Sequence, residues 1–108
     1  MTYTINITKK AKQDIFAAMD YIEYTLFNPQ AADNLLDQIE NTIIPLSAMP
    51  LIHPIIEDSV LQSLQIRYIP VNNYIVFYTV DKETQTVNII RFLYGKRNWE
   101  EILKTELP

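Results

Sequence analysis

The chain has 108 residues, of which 48% are apolar and 20% are charged, so we expect one globular domain over residues 1–108. It contains no cysteine, which excludes a disulfide framework, a thiolate metal site and a cysteine nucleophile. Its formal net charge of −4 argues against a dedicated nucleic-acid-binding protein, because such proteins are usually basic. Gly95 is the only glycine, which excludes a glycine-rich phosphate-binding loop.

The charges are unevenly distributed along the chain. Residues 14–58 contain acidic side chains but no lysine or arginine, whereas basic residues collect at Lys9, Lys10 and Lys12 and again from Arg67 onward. The N-terminal segment MTYTINITKK has no apolar core of the signal-peptide type, and no stretch is long and apolar enough to span a bilayer. We therefore expect a cytoplasmic protein with no membrane partner, no cofactor and no metal.

The first elements that the sequence predicts are a short strand and a helix. Thr2–Ile7 alternates apolar and polar side chains, which predicts a strand with one apolar face. Thr8 is the predicted N-cap of the helix, because its hydroxyl can accept hydrogen bonds from first-turn amides. The helix is predicted from about Lys9 to Leu26. Its apolar residues recur at spacings of three and four positions: Ala11, Ile15, Ala18, Met19 and Ile22.

A second helix should follow after a short link. Asn28 suits the N-cap, and Pro29 suits the first helical position, where its missing amide hydrogen has no helical partner to lose. The predicted helix runs from Pro29 to about Ile44, and Pro45 should end it. The two helices form an αα-hairpin. Leu46–Val60 is predicted to be an ordered loop.

Three apolar runs in the second half of the chain predict β-strands. Leu64–Val71, Tyr74–Val80 and Val87–Tyr94 are rich in the β-branched and aromatic residues that strands favour. Asn72-Asn73 predicts a two-residue hairpin turn, because asparagine tolerates the positive φ that such turns require. We expect a three-stranded antiparallel meander, joined by the N-terminal strand at an edge.

A short terminal helix is predicted at Trp99–Lys104. Gly95 ends the last strand, Asn98 suits the N-cap, and Glu101 completes a capping box. The predicted element order is β-α-α-β-β-β-α. This order indicates an α+β two-layer fold, in which the αα-hairpin packs on the antiparallel sheet.

Several short sequence pieces, spread over nearly the whole chain, carry a family resemblance. In order they are Tyr3-x-Ile5-x-Ile7-Thr8 with Ala11 and Asp14-Ile15, Asp20-Tyr21-Ile22, Asn28-Pro29-x-Ala31-Ala32, Ile39-Glu40 with Leu46 and Pro50, Arg67, Asn73-Tyr74-x-Val76-x-Tyr78, and Val87-x-Ile89-x-Arg91-x-x-Tyr94-Gly95-Lys96-Arg97. No single piece is specific. By their order and spacing together, the chain resembles the RelE/ParE superfamily of toxins from bacterial type II toxin–antitoxin systems.

The resemblance implies one of two targets. RelE-like members are ribosome-dependent endoribonucleases that cleave mRNA through the RNA's own 2′-hydroxyl, and ParE-like members poison DNA gyrase. Both kinds are held inactive by a cognate antitoxin, a segment of which wraps the toxin. The implied partners are therefore an antitoxin and either DNA gyrase or the ribosome with mRNA, in a module of the plasmid-stabilisation type.

The resemblance to RelE-like ribonucleases implies a set of catalytic positions, and this chain matches only some of them. Arg97 stands at the position of a phosphate-contacting arginine. Ile75 replaces a strand arginine, and Leu103 is closest to the position of a tyrosine in the terminal helix. A lysine pair expected in the preceding strand is replaced by apolar and aromatic residues. Tyr94 stands where another ribonuclease branch has a histidine.

Metal-independent RNA cleavage requires groups that move protons and cations that stabilise the phosphorane. Under the ribonuclease interpretation, the predicted catalytic residues are Arg67, Arg91, Arg97 and Tyr94, of which Tyr94 would move protons. His53, in the proline-rich loop, is the alternative proton-moving group and is disfavoured by its position. Under the gyrase interpretation, the predicted target-binding or phosphate-binding residues are Arg91, Lys96 and Arg97, together with the terminal helix. Because the ribonuclease set is incomplete, a ParE-like growth inhibitor is favoured.

Structural explanations of the same residues remain open. Arg67 and Arg91 can pair with acids such as Glu57 or Asp58. Lys96-Arg97, which follows the only glycine, can be a solvated turn at the end of the sheet. A third functional interpretation is an inactive toxin fold that retains only partner binding.

Overall fold

The structure is a computed structural model that describes residues Thr2–Thr105. In chain order its elements are β1 (Thr4–Ile7), α1 (Lys9–Asp20), α2 (Pro29–Ile43), α3 (Ser59–Ser63), β2 (Arg67–Val71), β3 (Tyr74–Asp81), β4 (Thr86–Tyr94) and α4 (Trp99–Thr105). The predicted α+β fold class is confirmed. Within this part of the chain, no helix combines the length and the apolarity that crossing a bilayer requires.

The strands form one mixed sheet in the order β1-β4-β3-β2. β2, β3 and β4 make the predicted antiparallel meander. Asn72 has a φ of 54° in the tight turn between β2 and β3, as the asparagine pair predicts. β1 lies at an edge and pairs in parallel with β4 as far as Ile7 opposite Ile89. β4 continues to Tyr94, so its last residues extend beyond β1.

Both helices of the αα-hairpin begin at the predicted caps. The Thr8 hydroxyl accepts a hydrogen bond from the Ala11 amide at 3.2 Å. The Asn28 side chain accepts one from the Ala31 amide at 3.1 Å. Pro29 is the first residue of α2, where its ring restricts φ to a helical value. These caps provide acceptors for amides that the first turn of a helix leaves without a partner.

The first helix is less regular than its apolar pattern predicts. α-Helical geometry ends at Asp20, and Tyr21–Thr25 forms a π-helical stretch. The Leu26 amide donates to the Tyr21 carbonyl at 3.1 Å, five residues back along the chain. Phe27 follows with a φ of 54°, a left-handed conformation that is unusual for a bulky side chain. The sequence predicts a helix of nearly the right length, but hydrophobic periodicity does not distinguish α- from π-helical hydrogen bonding.

The αα-hairpin packs on one face of the sheet. The buried residues of this core come from both helices, the turn after α2 and the sheet: Ala11, Ile15, Ala18, Leu35, Ile39, Ile43, Leu46, Ile69, Val71, Val76, Tyr78, Val87, Ile89 and Phe92. The Tyr78 hydroxyl donates to the Pro50 carbonyl at 2.8 Å. This hydrogen bond satisfies a hydroxyl that burial would otherwise destabilise.

A smaller apolar cluster covers the other face of the sheet. Its buried residues are Ile56, Leu61, Ile66, Phe77, Leu93 and Leu103. The Trp99 ring lies 5.3 Å from the Phe77 ring, centroid to centroid, and so holds α4 against the sheet. The Lys104 ammonium pairs with the Asp58 carboxylate at 2.7 Å. This ion pair connects α4 to the start of α3.

The helix α3 is not predicted by the sequence analysis. The sequence predicts a loop up to Val60 and a strand from Leu64, whereas Ser59–Ser63 is helical and β2 begins at Arg67. The Asp58 carboxylate caps this helix by accepting a hydrogen bond from the Val60 amide at 3.0 Å. A helix of 5 residues is too short to show hydrophobic periodicity, which explains the error.

Candidate functional site

A cleft of about 800 Å³ lies at the end of the sheet where β4 extends beyond β1. Its walls come from the second half of α1 and the π-helical stretch after it, the start of α2, the start of β3 and the end of β4. The residues that matter for its chemistry are Asp14, Tyr21, Tyr74, Phe92, Tyr94 and Arg97. Because β1 pairs with β4 only as far as Ile89, α1 flanks the last residues of β4. The cleft therefore follows from the different lengths of two neighbouring strands.

Aromatic side chains form much of the cleft wall. Tyr74 stacks on Phe92 with ring centroids 4.8 Å apart, and it lies edge-on to Tyr94 at 5.6 Å. Burial chiefly, and the neighbouring Tyr94 and Tyr21 less strongly, raise the pKa of Tyr74 above its ordinary value of 10.0. Tyr74 is therefore protonated at neutral pH. It can donate a hydrogen bond there, but it does not serve as a general base.

Asp14 binds Arg91 beside the cleft. The Arg91 Nε and Nη2 atoms donate to the two carboxylate oxygens of Asp14 at 2.6 and 2.9 Å, which is the strong bidentate geometry. The same carboxylate accepts a hydrogen bond from the Phe92 amide at 3.1 Å. Arg91 is only 8% exposed. This geometry supports the structural explanation of Arg91, but with Asp14 as the paired acid in place of Glu57 or Asp58.

A β-bulge accompanies this ion pair. Phe77 of β3 pairs with Arg91, whereas the next residue, Tyr78, pairs with Ile89. Ile90 is therefore an extra residue in β4. An extra residue bends a strand and changes the direction of the neighbouring side chains. The bulge thus accounts for the direction in which Arg91 leaves the sheet to reach α1.

Arg67 lies away from the cleft, at the other end of the pairing between β2 and β3. It pairs with Tyr78, which is four residues, or about 13 Å, along β3 from Tyr74 in the cleft. Its Nη1 atom donates to the Leu51 and His53 carbonyl oxygens at 3.2 and 2.6 Å. Arg67 therefore fixes the loop before α3. The structure does not bring it together with the other predicted catalytic residues.

Tyr94 and Arg97 converge on the cleft from the end of β4 and the turn that follows it. The Arg97 amide donates to the Tyr94 carbonyl at 3.0 Å, which closes this turn. Lys96 lines a separate pocket of about 290 Å³ beside Gly95. A side chain at Gly95 would place its Cβ atom 3.2 Å from the Asn73 carbonyl oxygen, so the turn favours glycine. Among the described residues, Arg97 is the only cation that lines the cleft.

Comparison with known families decides the identity of the fold. Residues 5–99 match the family model described as the ParE toxin of type II toxin–antitoxin system, parDE. The chain belongs to the ParE toxin family. It is therefore a toxin of the type II toxin–antitoxin class and a member of the RelE/ParE superfamily that its sequence resembles. No curated protein matches the sequence of this ParE-family toxin significantly.

Solved structures of low sequence identity share the fold of the ParE-family toxin. A chain of the chromosomal ParDE system from P. aeruginosa is 18% identical, with a TM-score of 0.70, and the match covers 88% of this chain and 98% of that one. A chain of the RelBE2 toxin–antitoxin complex from Mycobacterium tuberculosis is 20% identical, with a TM-score of 0.59 and coverages of 87% and 99%. A doubly substituted mutant of E. coli toxin RelE in the free state is 16% identical, with a TM-score of 0.63 and coverages of 99% and 100%.

Asp14 is the residue of this toxin whose role sequence reasoning missed. In the sequence it stands only as one piece of a family pattern, with no predicted contact. A signal was nevertheless present. Asp14 lies three residues after Ala11 and four before Ala18, so it falls within the apolar stripe of α1. A carboxylate at such a position is half-buried and needs a cationic or amide partner.

The cleft of this toxin combines an apolar aromatic wall with one accessible guanidinium. Within residues 2–105, no three His, Cys, Asp or Glu side chains are grouped to hold a metal ion. Phenol groups and Arg97 can bind an anion, and the aromatic wall can bind a bulky apolar side chain. The arrangement therefore suits a protein segment that carries an apolar residue next to an acidic one.

Proposed function

We propose that this toxin is a ParE-like growth inhibitor that acts on DNA gyrase and is neutralised by a cognate antitoxin. The observation that carries the proposal is the separation of the predicted catalytic residues. Tyr94 and Arg97 line the cleft, whereas Arg91 pairs with Asp14 and Arg67 binds backbone carbonyl groups about 13 Å along the sheet. A toxin that acts by binding needs a shaped surface and does not need a catalytic constellation.

The groups that general acid–base catalysis needs are scarce in the cleft. Cleavage of RNA through its 2′-hydroxyl requires a group that takes one proton and a group that gives another. The sequence has one histidine, His53, and its ring contacts Tyr78, four residues along β3 from Tyr74 in the cleft. The raised pKa of Tyr74 makes its phenol a weaker proton donor, and the protonated phenol does not serve as a base. Of the predicted set, this leaves Tyr94 as the single proton-transferring group beside the single cation Arg97.

The antitoxin is proposed to occupy the cleft. The similar chains of the ParDE system and of the RelBE2 complex come from toxin–antitoxin systems. In the cleft of this chain, an apolar side chain would pack against Tyr74 and Phe92 while a carboxylate pairs with Arg97. The antitoxin segment would thereby cover Arg97 and neighbouring Lys96, which we keep as target contacts. Neutralisation follows because one segment hides the cationic residues that the target needs.

The decisive experiment compares two rates of synthesis within minutes of inducing the toxin in bacteria. If gyrase is the target, incorporation of labelled thymidine falls before incorporation of labelled amino acids. Purified toxin also inhibits DNA supercoiling by purified gyrase. Early arrest of amino-acid incorporation, with supercoiling unaffected, would show that gyrase is not the target. Unchanged growth, with soluble toxin present, would identify an inactive fold that only binds its antitoxin.

Arg97→Ala tests the cationic contact in the same assays. It should lower inhibition of supercoiling by about tenfold, a typical effect of removing an important interface arginine. Lys82→Ala, in the exposed turn between β3 and β4, removes the same charge at the other end of the sheet and serves as the control. Equal potency of the two variants would remove Arg97 from the contact.

The second candidate function is a RelE-like, metal-independent mRNA endoribonuclease that acts on the ribosome. The observation that favours it is the convergence of Tyr94 and Arg97 on one cleft. Cleavage mapping on translating ribosomes tests it. A ribonuclease would cut the message, and Tyr94→Phe would abolish the cut because the phenol moves the proton. Intact message under these conditions would dismiss the ribonuclease.

A further inference from the structure

Three aromatic side chains are exposed at the end of the αα-hairpin, outside the cleft. Phe16, Tyr24 and Phe27 are 64%, 68% and 85% exposed. None of them lines the cleft, although Tyr21 and Leu26 from the same segment do. We call Phe16, Asp20, Glu23, Tyr24 and Phe27 the tip surface. Phe16, Asp20 and Tyr24 are spaced four residues apart, which places them along one outer stripe of the first helix.

The backbone of the tip surface departs from regular geometry at the same residues. Tyr24 lies in the π-helical stretch, and π-helical turns inside helices are often found at functional sites. Phe27 has a φ of 54°, a conformation in which glycine or asparagine usually ends a helix. A phenylalanine at this position is unfavourable both in its backbone and in its exposure to water. Contact with a partner would bury the ring and offset the second of these costs.

The charges of the tip surface define its partner. Asp20 and Glu23 lie among the aromatic rings. The nearest cation on the same stripe is Lys12, one helical turn before Phe16 and outside the tip surface, so the tip surface itself is acidic. Nucleic acids and anionic membranes are repelled by such a surface, because both carry dense negative charge. A protein surface with basic side chains around an apolar pocket is complementary to it in charge and in shape.

We propose that the tip surface docks the toxin onto its target through a basic-rimmed apolar pocket of the target protein. This inference rests on the proposed function, under which that protein is DNA gyrase. The cleft and the tip surface then have opposite charge preferences. The cleft accepts an acidic antitoxin segment at Arg97, and the tip surface accepts a basic target. Target binding can therefore be removed by substitutions that leave the cleft unchanged.

A matched pair of double variants tests the tip surface. Tyr24→Gln with Phe27→Asn removes two rings and keeps the backbone, because glutamine favours helices and asparagine tolerates the left-handed conformation. The control is Ile44→Thr with Ile52→Thr, which removes two side chains of similar exposure, 63% and 60%, elsewhere on the surface. Thermal unfolding checks that both variants fold. The readouts are binding of purified gyrase and inhibition of its supercoiling activity.

The tip variant should bind gyrase at least about tenfold more weakly than wild type, and the control should bind normally. A charge variant, Asp20→Lys with Glu23→Lys, should slow association most at low salt, and the effect should fade as salt screens the charges. If the tip variant inhibits gyrase as strongly as wild type does, the docking role of the tip surface is overturned and the proposed target is kept. A wild-type toxin without any effect on gyrase overturns the proposed target, and the docking site with it. Self-association that the tip substitutions abolish would assign the surface to a second copy and reject the proposal.

Discussion

The two ends of the pairing between β2 and β3 each bring a tyrosine near an arginine, but only one end is open. At one end, the Tyr78 hydroxyl and the Arg67 guanidinium both donate to backbone carbonyl groups of the loop after α2. At the other end, half-buried Tyr74 and exposed Arg97 line an open cleft. The residue types are the same at both ends. The two ends differ in the backbone beside them. The loop after α2 passes over the first end, and its carbonyl oxygens accept the hydrogen bonds that Tyr78 and Arg67 donate.

An arginine in or next to this sheet is a candidate contact residue only where no internal acceptor reaches it. Arg67 has carbonyl acceptors and Arg91 has a carboxylate, so both hold the fold together. Arg97 lies on the rim of the cleft. Substitutions of arginines with and without an internal acceptor, and of their partners, can test this distinction.

Asp14→Ala should have the largest effect on stability. Removing the carboxylate leaves the buried Arg91 guanidinium without its bidentate partner, which typically costs about 3 to 5 kcal/mol. It also removes the acceptor for the Phe92 amide. Urea unfolding measures the loss, with Asp33→Ala on the exposed face of α2 as the control. Equal stability of the two variants would mean that water replaces Asp14 at Arg91, and the pair would lose its structural role.

Truncating the arginine should lower stability at the closed end and toxicity at the open end. Arg67→Ala removes hydrogen bonds from a charged donor to two carbonyl groups, and we expect a loss of about 2 kcal/mol of unfolding free energy. Arg97→Ala, at an exposed position, should change stability by less than about 0.5 kcal/mol and lower toxicity instead. Thermal unfolding and growth inhibition, measured on both variants, give the comparison. A stable Arg67→Ala variant with reduced toxicity would place Arg67 among the functional residues.

The two tyrosines give a finer comparison, because each loses one hydroxyl. Tyr78→Phe leaves the Pro50 carbonyl without its buried donor and should destabilise the protein by about 1 to 2 kcal/mol. Tyr74→Phe should be within about 0.5 kcal/mol of wild type, because its hydroxyl lies at the open cleft. The ring stacking on Phe92 is kept in that variant. Similar losses of unfolding free energy for both substitutions would show that the two tyrosine hydroxyls are equally shielded from water.

Much of the fold could be predicted from the sequence, because its signals are local. Period-two runs, the Asn72 turn and the Asn28 and Thr8 caps each depend on residues that are neighbours in the chain. The ion pair between Asp14 and Arg91 joins residues 77 positions apart. Its formation depends on how α1 lies over β4 and on the extra residue in the bulge, and neither has a local signal.

The candidate site shows the same limit. Tyr94 and Arg97 could be placed together, because one turn connects them. Arg67 belongs to the same predicted catalytic set, but strand pairing places it opposite Tyr78, four residues along β3 from Tyr74 in the cleft. The cleft itself follows from β1 being shorter than β4, and a difference in strand length becomes a cavity only after the helices pack.

The smallest predicted effect concerns pH and the closed end of the pairing between β2 and β3. Burial chiefly, and the positive charge of Arg67 next, lower the pKa of His53 below its ordinary value of 6.5. The unfolded chain therefore binds a proton at a higher pH than the folded protein. Stability should fall as the pH drops through 6.5 and level off once folded His53 is also protonated.

His53→Gln tests this pH dependence, because glutamine has no proton to gain in this range. Wild type should lose a small amount of unfolding free energy between about pH 7 and about pH 5, and the variant should lose less. Asp58, whose pKa Lys104 lowers from its ordinary 3.8, acts in the same direction but only at lower pH, so it does not obscure the comparison. Parallel stability curves for wild type and variant would mean that His53 is as free to bind a proton in the folded protein as in the unfolded chain. The closed end of the pairing between β2 and β3 would then be more open to water than its hydrogen bonds indicate.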